Sequence, residues 1–153
     1  AQTPHQEDML IFPVNMYGWS KACATHYAIT MTRAGLAKWC VARPFFVYGA
    51  GKSTGFLTEL ERALHAGKTF KVESASTRDP VWVEDAAEGI LRLAINPAAN
   101  GEVVNICNGK EVSVRLMAEL THQKIGRGKV IFRSTRPQRG DIARSFGSND
   151  KLR

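Results

Sequence analysis

Over most of its 153 residues the chain alternates between segments of helical apolar spacing and short apolar runs of strand length. Helical periodicity spans residues 17–34, 56–65, 85–95 and 114–125, with Gly35, Gly67 and Pro97 standing where a helix would stop. The runs at 39–42, 70–72, 81–83, 103–106 and 130–132 have the length and composition of strands. Residues 1–15 and the glycine-rich stretch 49–55 read as loops. Helices inserted between strands separate those strands too far for hairpins, so the pattern predicts an α/β fold with a parallel sheet rather than a helical bundle. No internal repeat or low-complexity stretch interrupts it.

Composition narrows the class further. Hydrophobic residues make up 44% and charged residues 23%, which suits a packed core at one domain's length. No apolar run approaches the roughly eighteen residues of a membrane span, and no signal-peptide pattern opens the chain. Cys23, Cys40 and Cys107 are odd in number and lack C-x-x-C spacing, which predicts a reducing, cytoplasmic setting over a disulfide scaffold. The net charge is +7, from 21 basic and 14 acidic residues. Much of the excess follows residue 123, in Lys124, Arg127, Lys129, Arg133, Arg136 and Arg139. Such a tail suits a solvated basic face, a nucleic acid or a diphosphate; no nucleic-acid motif accompanies it, so nucleic acid is the least favoured.

The chemistry concentrates in Tyr17-Gly18-Trp19-Ser20-Lys21. Tyrosine and lysine four residues apart on a helix share one face, one turn apart. An ammonium near a phenol favours the phenolate, which gives a proton-transfer group for hydroxyl–ketone redox chemistry.

The surroundings of this pair carry a family resemblance. Pro13-Val14-Asn15-Met16-Tyr17-Gly18-Trp19-Ser20-Lys21 matches P-x-x-x-Y-G-x-S-K, and Arg43-Pro44-Phe45-Phe46-Val47-Tyr48-Gly49-Ala50-Gly51 is similar to R-P-F-N-V-Y-G-P-G. Arg78-Asp79-Pro80-Val81-Trp82-Val83-Glu84-Asp85 resembles R-D-F-V-x-V-D-D, and Gly101-Glu102-Val103-Val104-Asn105-Ile106 resembles G-E-V-Y-N-I. Gly140-Asp141, followed by Asp150-Lys151, is similar to a C-terminal R-P-G-D…D-x-x-K segment. In this order and spacing the motifs resemble the extended short-chain dehydrogenase/reductases, the NAD-dependent epimerase/dehydratases of nucleotide sugars.

The resemblance implies the C-terminal part of a Rossmann-like doubly wound sheet plus a small substrate-binding subdomain, without the N-terminal glycine-rich half. No G-x-x-G-x-x-G turn occurs in the sequence. A single partial domain is expected over 1–153, with 1–54 and 84–108 as Rossmann-like elements and 55–83 and 109–153 as substrate-binding elements. Implied cofactors are NAD or NADP in the complete enzyme; the implied partner is a nucleoside-diphosphate sugar, and a homo-oligomer is expected. Tyr17 would exchange a proton with a sugar hydroxyl, and Lys21 would assist it and bind the nicotinamide ribose. Pro44, Phe45 and Phe46 would pass the nicotinamide, and Arg78 would grip the substrate diphosphate. Asp141 would lie near the nucleotide, with Arg136 or Arg139 as its basic partner. The other reading of Arg78-Asp79 is a local ion pair.

Three departures stand out. Phe46 replaces a hydrogen-bonding asparagine. Pro80 replaces an aromatic, and two extra residues separate Arg136-Pro137 from Gly140-Asp141. The isolated chain is expected to be inactive, and a non-catalytic remnant or assembly module that binds a nucleotide or protein stays open beside the enzyme. Gly49-Ala50-Gly51-Lys52-Ser53-Thr54 imitates a P-loop, but the first glycine of that pattern falls on Phe46. Cys23 and His26, one helical turn apart, are too few for a zinc site.

Overall fold

A computed structural model describes residues 4–133 and 142–152. In chain order it contains α1 (Met16–Arg33), β1 (Val41–Pro44), β2 (Phe46–Tyr48), α2 (Phe56–His65), β3 (Thr69–Glu73), β4 (Thr77–Arg78) and β5 (Pro80–Trp82). Then follow α3 (Val83–Ile95), β6 (Val103–Ile106), β7 (Val112–Ser113), α4 (Val114–Ile125) and β8 (Lys129–Arg133). Short 3-10 turns occur at Pro97–Ala99 and Asp150–Leu152.

The expected parallel pairing is present as three ladders: β1 with β6, β2 with β5 and β3 with β8. A short antiparallel pair, β4 with β7, joins them. All four helices lie within a residue or two of the segments their periodicity predicts. Two strands shift. The run at 39–42 forms a strand only from Val41, where Val103 becomes its partner, and continues to Pro44. The run at 81–83 becomes β5 from Pro80, because Val83 is already the first residue of α3.

Two cores result. Leu60 and Leu64 of α2 share one helix face and are fully buried against Val72 of β3 and Val114, Met117 and Ala118 of α4. The second gathers Val81, Ala86 and Ile106, with Ala42, Val47, Leu93 and Leu152 around them. Caps fix the helices. The Ser113 side chain accepts the Leu116 N–H at 3.0 Å to start α4, and Gly126 ends it in the left-handed region at φ 67.

Helix α1 departs from this economy. Only Ala22 and Thr25 of its eighteen residues are buried, while Met16, Tyr17, Trp19 and Tyr27 are exposed. Leu10, Phe12 and Val14, just before it, are exposed as well.

Candidate functional site

Asn15 begins α1 in extended conformation, and its side chain accepts the Gly18 N–H at 2.8 Å. A Cβ on Gly18 would stand 3.3 Å from the Cβ of Pro13, so the smallest residue lets the incoming chain fold against the first turn. Tyr17 is thereby set in that turn, 71% exposed. The Lys21 ammonium lies over its ring, 5.3 Å from the centroid. The Ser20 hydroxyl donates to the Tyr17 carbonyl at 2.8 Å, which occupies it within the helix.

Residues 4–8 anchor the approach to α1. The Glu7 carboxylate accepts the Asn105 N–H at 2.9 Å, and the Glu7 carbonyl accepts from the Arg43 guanidinium at 3.2 Å. Asn105 is buried, and its amide donates to the carbonyls of His5, at 2.9 Å, and Ser148. Burial draws the Arg43 guanidinium below its ordinary pKa, with the charge of Glu7 acting in the opposite sense. Sequence reading missed Glu7 and Asn105, whose chain separation hides their pairing.

Pro44, Phe45 and Phe46 lie where β1 passes into β2. The Phe45 N–H donates to the Ile106 carbonyl at 3.0 Å, and the Phe46 N–H to the Asp79 carbonyl at 3.1 Å. Lys52 folds back from the glycine-rich loop to donate to the Val47 carbonyl at 2.6 Å, with its ammonium 5.4 Å from the Phe46 ring centroid. Among the described residues, Phe46 is also the one sequence-expected residue that lines a cleft of about 690 Å³, together with Tyr48, Lys52, Trp82, Leu120 and Lys124. Tyr17, Lys21, Pro44, Phe45 and Arg78 do not line it.

Arg78 is half-buried in β4 and donates through Nη1 to the carbonyls of Thr77, at 2.7 Å, and Ile142, at 2.9 Å. Asp79 is completely buried. Its carboxylate accepts the N–H groups of Asn108 at 2.9 Å, Gly109 at 3.0 Å and Gly147 at 3.2 Å. No Arg78–Asp79 ion pair occurs among the salt bridges of the described residues. Arg136, Arg139 and Asp141 lie outside the described residues. Close to Arg78, the Glu111 carboxylate takes a bidentate contact from Arg144 at 2.7 Å and a hydrogen bond from Thr77. These contacts, Arg144 first, hold the Glu111 pKa down at about 2.

The residues present fit one end of a nicotinamide dinucleotide. An exposed phenol and an ammonium share a helix face, and β1 and β6 run parallel so that their carboxyl ends lie together, the position where α/β sheets receive ligands. The pyrophosphate end finds no counterpart in these residues, since the sequence has no G-x-x-G-x-x-G turn. Among the described residues no three His, Cys, Asp or Glu side chains could hold a metal, and no helix is long and apolar enough to cross a membrane.

Residues 1–107 match the model of the NAD dependent epimerase/dehydratase family, and the chain belongs to that family. It is 26% identical over 164 residues to a GDP-6-deoxy-D-mannose reductase from Pseudomonas aeruginosa, covering 99% of this chain and 53% of the relative. A putative UDP-glucose 4-epimerase from Methanocaldococcus jannaschii is 29% identical over 152 residues, covering 94% and 48%. The chain thus spans about half the length of the curated relatives it matches. The solved structure of MoeE5 in complex with UDP-glucuronic acid and NAD is 28% identical, with a TM-score of 0.83 over 95% of this chain and 50% of that one. Other structures of the same fold hold NAD or NADPH. The architecture is therefore the Rossmann-like α/β fold of NAD-dependent epimerases, dehydratases and reductases, covering about half of it.

Proposed function

We propose that this chain supplies the proton-transfer pair and the substrate grip of an NAD(P)-dependent enzyme that acts on a nucleoside-diphosphate sugar. The observation that carries the proposal is the Tyr17–Lys21 pair, exposed on α1, with the ammonium against the phenol ring. Tyr17 removes a proton from a sugar hydroxyl or returns one to the corresponding ketone. Lys21 keeps a positive charge beside the phenol and donates to the cofactor ribose. The bound nicotinamide supplies or takes up the hydride. Pro44, Phe45 and Phe46 would lie where the backbone passes the nicotinamide, and Phe46 would offer an apolar face where a hydrogen-bonding side chain is common. Arg78 binds the substrate diphosphate, for which a guanidinium fork is well shaped. Arg136 or Arg139, with Asp141, completes the nucleotide end.

The relatives that handle UDP-linked or GDP-linked sugars support this substrate class. The division into 1–54 with 84–108 and 55–83 with 109–153 is supported by the buried residues of the two cores, with β5 carried across to β2 by pairing, Leu152 packed on the second core and Phe46 on the first. On their own the 153 residues turn over no substrate, because the sequence provides no pyrophosphate-binding turn.

A second reading is an assembly module without turnover, supported by the apolar side chains left uncovered on and before α1. Both readings accommodate a homo-oligomer. NADH titration of the chain, followed by nicotinamide fluorescence, separates the readings. Saturable binding means that a dinucleotide site is rebuilt, and Tyr17→Phe in the complete enzyme should then abolish turnover while leaving cofactor affinity intact. Absence of binding at millimolar cofactor, together with a stable dimer, favours the assembly module.

A further inference from the structure

We propose that Asp79 is a positioning residue that fixes Arg78 relative to Phe45 and Phe46. This inference rests on the reading of Arg78 as the diphosphate grip. Four chain segments meet at this one residue. Its own carbonyl accepts the Phe46 N–H. Its carboxylate accepts Asn108 and Gly109, from the loop after β6, and Gly147, from the C-terminal segment. Arg78 completes the junction, because it precedes Asp79 in the chain and its guanidinium reaches the carbonyl of Ile142 in that same C-terminal segment.

The geometry around Gly147 shows how closely the parts are coupled. A Cβ there would lie 2.6 Å from Cζ of Phe45 and 2.8 Å from Sγ of Cys107. The C-terminal segment is thus pressed against the Phe45 ring at the point where Asp79 holds its backbone. The same segment runs beside β4, with the Thr77 N–H donating to the Ala143 carbonyl and the Ser145 N–H to the Thr77 carbonyl. Ile142, which receives Arg78, thus stands at the head of a stretch held by β4 at Ala143 and Ser145 and by the Asp79 carboxylate at Gly147. A carboxylate suits this place because it accepts only. An asparagine would offer one acceptor oxygen and turn an NH₂ toward N–H donors.

Asp79→Asn in this chain tests the inference without any ligand. By NMR, amide exchange at Asn108, Gly109 and Gly147 should quicken, and the Arg78 Nε and Phe45 ring signals should shift with it. If only the three amides respond, Asp79 merely anchors the C-terminal segment and the inference is overturned. Should Asp79→Asn fail to fold, Gly147→Ala displaces the amide instead of the carboxylate; an unmoved Arg78 signal there overturns the inference equally. UDP then serves as the nucleotide probe. Asp79→Asn should weaken UDP binding about tenfold, and should have no further effect on an Arg78→Ala background. Additive losses would show that Asp79 does not act through Arg78. A wild-type chain with no UDP affinity would refute the nucleotide-sugar reading, while the ligand-free spectra still decide the role of Asp79.

Discussion

At the scale of the residue, Cys107 and Gly147 share one tight space. Cys107 is buried, its thiol donates to the Ser148 carbonyl at 3.3 Å, and burial followed by the charge of Asp79 pushes its pKa up to about 12. At pH 8 roughly one molecule in ten thousand then carries the thiolate, which is the reactive form. Alkylation with iodoacetamide, read by peptide mass spectrometry, should modify exposed Cys23 promptly and leave Cys107 intact until the fold opens. Comparable rates at the two sites would show that Cys107 is not enclosed. Gly147→Ala should lower stability by about 1–3 kcal/mol through overpacking against Phe45 and Cys107. Denaturant unfolding measures this, and an unchanged midpoint would mean that the Phe45 ring moves aside freely. That Tyr17 and Lys21 share a helix face was legible in the sequence, because a four-residue spacing determines which side chains lie together. Asp79 was not legible. Its neighbour in sequence is a cation, yet its partners are backbone groups some thirty and seventy positions away, which no local pattern encodes.

At the scale of the element, the helices α2 and α4 and the ladder β3–β8 form the better-buried of the two cores. Leu64 sits at its centre, fully buried beside Leu60 and Ala118. Leu64→Ala should cost about 2–5 kcal/mol, depending on how far the surrounding side chains collapse. A loss below 1 kcal/mol in urea unfolding would show that α2 is loosely held. The periodicity of α2 announced this buried face, since Leu60 and Leu64 are one turn apart. The strand limits were harder to read. Residues 39–42 are apolar, but the strand extends over Val41–Pro44 because ladder partners, Val103 to Ile106, determine where pairing starts and stops. Pro80, an unusual residue for a strand, is accommodated at the first position of β5. Helix α1 shows the limit from the other side, because its apolar residues are distributed around the helix and give no single buried face.

At the scale of the whole molecule, charge and topology set the conditions under which the parts stay together. The Glu111–Arg144 contact ties the C-terminal segment to the loop before β7. Glu111 has its pKa lowered from 4.5 to about 2, first by this contact and then by the Thr77 hydrogen bond. Its contribution is therefore complete above pH 4.5 and disappears as pH falls toward 2. Thermal melts at pH 7 and pH 2.5 should show a smaller acid-induced drop for Glu111→Gln than for the wild type. Equal drops would assign the acid sensitivity to other carboxylates. The ladders carry a different consequence. Val41 pairs with Val103 and Thr69 with Lys129, so each ladder can close only after a long stretch of intervening chain has been brought round. Loop-closure entropy is lost before such distant pairings return any stabilisation, which slows the search for the native state. During that search the apolar side chains of α1 are available to neighbouring molecules. Dilute refolding should be slow and complete, and the recovered yield should fall as chain concentration rises.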